Sequence, residues 1–253
     1  MFGYASGATV FTGSQVVESG GTASSTTVSS GGTLDVLSGG TAIAPHLLAG
    51  GTFVLGGTLS GFTVSSGVTF EVSGGTVRKT TVLSGGTLEL FHATTQSAVT
   101  ISSGGTFEIG AGETLSGYRV SRGVTLEAAF SGTLSNTAVL SAGTLAVASG
   151  GIAANTTVFG GGLEVVSAGG TAGGVVSAGG TFEWIGSPQA TSGPSPRAGA
   201  ILELGSGYTA STGVSSAITV KVLSGGAQSG GACVRRGPAD SFRRHRDRRH
   251  REC

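Results

Sequence analysis

Gly-Gly-Thr, or a close variant of it, recurs along this chain at two alternating intervals. The third residue of each triplet falls at Thr22, Thr33, Thr41, Thr52, Thr58, Thr69, Thr76, Thr87, Thr95, Thr106, Thr114, Thr125, Thr133 and Thr144, mostly 11 and then 8 residues apart. Ile152, Leu163 and Thr171 continue the alternation, and Thr181 follows after 10 residues. One unit is close to 19 residues, and about eight copies lie between Thr22 and Thr181. A unit this short cannot bury a core of its own. Copies must stack on one another, which makes the chain a solenoid.

Each unit holds two short apolar runs. The first is sparse: TTV at 26–28, FTV at 62–64, TTV at 80–82, YRV at 118–120 and TTV at 156–158. The second is sharper: TLDV at 33–36, TFEV at 69–72, TLEL at 87–90, TFEI at 106–109, TLEA at 125–128, GLEV at 162–165 and TFEW at 181–184. Their polar–apolar alternation has the period of a half-buried strand, and no segment sustains a helical period. Gly-Gly pairs stand where the backbone must turn with positive φ. Stacking then places Leu34, Phe53, Phe70, Leu88, Phe107, Leu126, Leu145, Leu163 and Phe182 in one internal column. The expected fold is all-β, a parallel β-helix with coils of about 19 residues spaced roughly 4.8 Å apart. With 49 Gly, 34 Ser and 32 Thr in 253 residues, the chain would read as low complexity were it not periodic.

Eight of the ten acids before residue 232 share one repeat position: Asp35, Glu71, Glu89, Glu108, Glu127, Glu164, Glu183 and Glu203. Val54 and Ala146 fill the other two places. On the expected register these side chains point outward and form an acidic stripe. The simple reading is solubility, since charge on a flat face discourages lateral association. The functional reading is cation binding or a face for a basic partner. The Gly-Gly-x-Gly-x-Asp nonapeptide of calcium-binding rolls is absent.

Other residues carry weaker signals. His46 and His92 occupy irregular places and read as solvated or packed rather than as ligands. Arg78, Lys79, Arg119 and Arg122 flank the sparse strand and read as surface charge or a small basic patch. Trp184 reads as a core filler beside an irregular stretch, with sugar stacking as the alternative. The Thr pairs at 26–27, 80–81 and 156–157 lack the regular Thr-x-Thr ladder of ice-binding solenoids. No nucleophile elbow, phosphate loop or zinc spacing is present. A single column of acids with almost no neighbouring base supplies no general acid–base pair. No catalytic, cofactor-binding or metal-binding residue is therefore expected.

Repeats such as VSSGGTLDVLSGGTA (28–42) and VLSGGTLELFHATTQSAVTISSGGTFEI (82–109) resemble those of AIDA-type autotransporter passengers, the surface adhesins of Gram-negative bacteria. The resemblance covers residues 10–186 well and 199–231 loosely. It implies a right-handed parallel β-helix, type V secretion and display at the outer membrane. It also implies adhesion, autoaggregation or biofilm formation without catalysis, and heptose on Ser or Thr in some members. Cys is absent from residues 1–232, which fits passage through an outer-membrane pore. Partners would be a second copy, a host or abiotic surface, or glycans. No nucleic acid is expected for the body, and membrane attachment only through a barrel domain that this sequence lacks. The first residues show no basic segment followed by an apolar core, so no signal peptide is expected.

The organisation reads as regular solenoid repeats over 1–186, a Pro/Ser-rich loop over 187–198, degenerate repeats over 199–231 and an Arg-rich tail over 232–253. That tail carries eight Arg and both Cys, Cys233 and Cys253. It reads as disordered, either an arm for anionic surfaces or GC-rich DNA translated out of frame. The expected function is that of a passenger fragment of a surface adhesin. Two alternatives are a β-helical polysaccharide-degrading enzyme or tailspike-like protein, and a non-functional truncated reading frame.

Overall fold

The computed structural model describes residues 3–48, 50–186, 193–210 and 217–229. Part of the Pro/Ser-rich loop, residues 211–216 and the end of the degenerate repeats, and the whole Arg-rich tail lie outside them. The described residues are strands, turns and bends with no helix, arranged as a β-solenoid of about 11 turns.

Most coils contain three strands rather than two, although in two later coils the short pair merges as Ile152–Val158 and Thr171–Val176. In one coil these are Thr22–Ser24, Thr27–Val28 and Gly32–Val36; in the next, Thr41–Ile43, His46–Leu47 and Thr52–Leu55. Each strand pairs in parallel with its equivalent one coil along. The sparse apolar run and the residues before it are thus two short strands meeting at a corner. One residue with positive φ makes that corner: Ser25 (φ 53), Ala44 (φ 45), Gly61 (φ 73), Lys79 (φ 49), Ala98 (φ 54), Gly117 (φ 71), Asn136 (φ 52) and Asn155 (φ 55). Because few of them are Gly, the sequence gives the corner no consistent signature.

The corner before each long strand belongs to the Gly-Gly pair. Gly85, Gly104, Gly123 and Ala142 each donate the backbone N–H to the carbonyl of the equivalent residue one coil along, at 2.7 Å. Gly85 shows why the position favours glycine, although Ala142 holds the equivalent corner with φ 57. The φ of Gly85 is +75, and a Cβ there would stand 2.6 Å from Ser66 Oγ of the preceding coil.

The long strands form the most continuous surface. Nine of them, from Thr69–Ser73 to Thr219–Val222, make one sheet. The first three long strands form a separate sheet, and Phe53 bridges the two by packing edge-on against Phe70 at 5.3 Å. Phe62 fills the space between them, 4.6 Å from Phe70. Inward residues of this sheet, among them Leu88, Phe107, Leu126 and Leu145, are fully buried. Each contributes about 1.5–3 kcal/mol by leaving water.

One expected register is wrong. Leu163 pairs with Thr144, and Glu164 pairs with Leu145 and Phe182. Leu163 therefore faces outward and Glu164 inward, the reverse of the expected column. The corner decides this. Gly162-Leu163 stands where other coils place Gly-Thr, so Leu163 takes the outward position of the Thr.

Candidate acidic face

The outer surface of the nine-stranded sheet brings four of the predicted acids together. Glu71, Glu89, Glu108 and Glu127 are successive register partners, so their Cα atoms repeat at roughly 4.8 Å. A row of Thr69, Thr87, Thr106 and Thr125 runs beside them. Ala146 and Val165 then interrupt the row. Glu183 and Glu203 resume it, and Lys221 ends it. Lys221 Nζ lies 2.9 Å from Glu203 Oε1, the single ion pair among the described residues. Asp35 belongs to the separate N-terminal sheet, between Val16 and Val54. Glu164 is not on this face at all.

Carboxylates stacked this closely resist simultaneous ionisation. Partial burial, followed by repulsion from Glu89, Glu127 and Glu71, pushes the Glu108 carboxyl up to about 7. Partial burial and then the charges of Glu71 and Glu127 raise Glu89 as well. Glu183 is raised by burial and then by Glu203. The acids stand side by side on one flat sheet and do not face one another across a cleft. Such a surface concentrates negative potential and suits a cationic partner better than proton-transfer chemistry.

The remaining candidates are dispersed. Arg78, Lys79, Arg119 and Arg122 are exposed on the short-strand sides of the rod. His46 is an exposed strand residue paired with Thr27. His92 Nδ1 lies 3.0 Å from Ser73 Oγ of the preceding coil. Trp184 packs against Phe182 at 4.6 Å, and Tyr208 stacks on it at 5.1 Å, which takes its face out of reach of a sugar. In each Thr pair the first residue, Thr26, Thr80 or Thr156, is buried, and the second is half-buried.

Glu113 is a residue that pattern reading passes over. It replaces the second Gly of a Gly-Gly-Thr triplet, and its side chain turns inward at a break between short-strand sheets. Its Oε2 accepts the Thr94 N–H at 2.7 Å. Burial raises this carboxyl, and the N–H groups of Thr94 and Thr114 pull it back down. The signal was available as Gly-Glu-Thr where the repeat requires Gly-Gly-Thr.

No protein-family model matches the chain, and a search of curated proteins finds no match. Among solved structures, the solenoid matches a fragment of TibA hyper-glycosylated by TibC, an autotransporter adhesin passenger of the AIDA type. The match has a TM-score of 0.51 and 25% sequence identity, and it covers 92% of each chain. It supports the resemblance to adhesin passengers read from the repeats, and it is not to an enzyme.

Proposed function

We propose that this chain is the passenger portion of a bacterial surface adhesin: a non-catalytic rod that mediates adhesion, autoaggregation or biofilm formation at the cell surface. The single observation that carries this reading is the match to the TibA passenger over nearly the whole of both chains. The rod's flat, repetitive faces support it. Contacts on such a surface are individually weak and add up along the coils, so affinity comes from the number of coils engaged. The partner is a second copy, a host or abiotic surface, or glycans. Because the matched fragment is itself glycosylated, the exposed Ser and Thr of this chain are proposed sugar acceptors.

The test is display. The chain is fused to a carrier barrel on a bacterium that neither settles nor attaches by itself, with the carrier alone as control. The expected result is faster settling of the suspension, or attachment to epithelial cells or plastic, that scales with display level. Equal settling and attachment by the two strains, with the solenoid confirmed at the surface, would sink the proposal.

A further inference from the structure

Glu164 is an unusual occupant of a solenoid core. It is 2% exposed and lies in the inward row between Leu145 and Phe182. Its Oε1 has no hydrogen-bond partner, nor do the buried hydroxyls of Thr156, on Ile152–Val158, and of Thr137, at the corner between Thr133–Ser135 and Ala138–Val139. A buried carboxylate with no cation beside it and an oxygen left without a hydrogen bond is strongly disfavoured, so the group keeps its proton. Burial pushes the carboxyl up to about 8, while the Thr156 hydroxyl pulls the other way without reaching hydrogen-bond geometry.

The elements around it offer no compensating charge. The strands Thr144–Val147, Ile152–Val158 and Thr171–Val176 carry no titratable side chain. Thr181–Trp184 carries only Glu183, on the outer face beside Val165. All six Lys and Arg of the described residues are exposed.

The strand itself has a second solution. Its sequence, Leu163-Glu164-Val165-Val166, alternates acceptably in either register. As it stands, Glu164 and Val166 are inside while Leu163 and Val165 face out. A slip of one residue exchanges the two pairs. Leu163 and Val165 would then be inside, and Glu164 would face out in the gap that Ala146 and Val165 leave in the acidic row. The slip moves Gly160 and Gly161 into the places of Gly161 and Gly162, so the corner before the strand keeps glycine at its positive-φ position.

We propose that residues 163–166 form a two-register strand whose position is set by whether Glu164 carries a proton. With the proton, Glu164 stays inside. Without it, the strand slips by one residue and the carboxylate reaches water. The rod thus contains one coil whose outer face changes with pH, from Leu163 and Val165 to Glu164 and Val166. This inference stands apart from the adhesin reading.

The test places a thiol on each side of the strand, in the full chain with Cys233 and Cys253 changed to Ser. Val166→Cys reports on the inside and Val165→Cys on the outside. Labelling by a thiol reagent is measured at about pH 6 and about pH 9.5, each normalised to the same variant in denaturant. The thiol at 166 is expected to be protected at the lower pH and to gain exposure by about tenfold per pH unit above the carboxyl's folded pKa until the slip saturates. The thiol at 165 is expected to become protected over the same range. Adding Glu164→Leu should abolish both changes. Unchanged protection at 166 overturns the proposal. So does simultaneous exposure of 165 and 166, which would mean local unfolding and not a slip. If Val166→Cys fails to fold, loss of labelling at 165 with rising pH decides the matter alone.

Discussion

Leu145 and Glu164 are register partners on adjacent coils, so a carboxyl occupies a core place that the coils on either side give to Leu145 and Phe182. The consequence for stability has a definite sign. Burial pushes this carboxyl up to about 8 in the folded protein, against 4.5 for the free group. A group whose pKa is raised by folding contributes stability that is complete below its unfolded value and is lost as pH rises through its folded value. The loss runs at about 1.4 kcal/mol per pH unit across that window. Urea denaturation should therefore show a midpoint that falls between about pH 5 and pH 8. Glu164→Leu should remove most of that slope and raise stability at the alkaline end by a few kcal/mol. Parallel slopes for the two proteins would show that Glu164 does not hold a buried proton.

Glu164 also marks where reading the sequence stops working. The stack of coils, the inward column from Leu34 to Leu145 and the outward row from Glu71 to Glu127 all follow from period-two alternation between fixed corners. For Leu-Glu-Val-Val the alternation has two answers. Aversion to a buried carboxyl favours one of them, and the corner enforces the other. Counting from Gly161-Gly162, with φ 77 at Gly161, gives the register seen; counting from the apolar residues does not. The third corner of each coil was hidden for a related reason. Ser25, Lys79 and Asn136 adopt positive φ without being Gly, because a backbone hydrogen bond to the neighbouring coil fixes each of them there.

At Gly85 even one methyl group should be costly, because Ser66 stands over the site, whereas Ala142 is accommodated at the equivalent corner under Arg122. Gly85→Ala forces a left-handed φ on a residue with a Cβ and drives that carbon against Ser66. The expected cost is about 1–3 kcal/mol, seen as a lower melting temperature. Adding Ser66→Gly should recover the steric share and leave the backbone share. A double variant no better than Gly85→Ala would assign the whole cost to φ.

Glu113 is expected to hold the seam where the short-strand sheet ending at Thr95–Ser97 gives way to the one beginning at Thr114–Ser116. Glu113→Ala leaves the Thr94 N–H without its 2.7 Å acceptor, at a cost of about 1–3 kcal/mol. Amide exchange at Thr94 and Thr114 should accelerate while amides in the nine-stranded sheet keep their protection. Glu113→Gln retains an amide oxygen to accept the bond and should restore much of the protection at Thr94. Equal exchange in wild type and Glu113→Ala would show that the seam holds without the carboxylate.

The acidic row should respond to both pH and salt. Glu108 sits between Glu89 and Glu127, and its carboxyl is raised from 4.5 to about 7, first by burial and then by those neighbours. The sign is again that of a raised carboxyl: its share of stability is present at low pH and is lost as pH rises through about 7. The groups are partly exposed, so the effect is discounted to about 1 kcal/mol or less. Glu108→Gln should stabilise the rod modestly at pH 8 and leave it nearly unchanged at pH 4. Added sodium chloride should stabilise the wild type more than Glu108→Gln, because it screens repulsion that the variant has already lost. Carbon-detected NMR titration of the Glu side chains gives the direct measurement. A Glu108 carboxyl that titrates at the ordinary value would mean the row is too well solvated for its charges to interact, and the salt difference should then vanish as well.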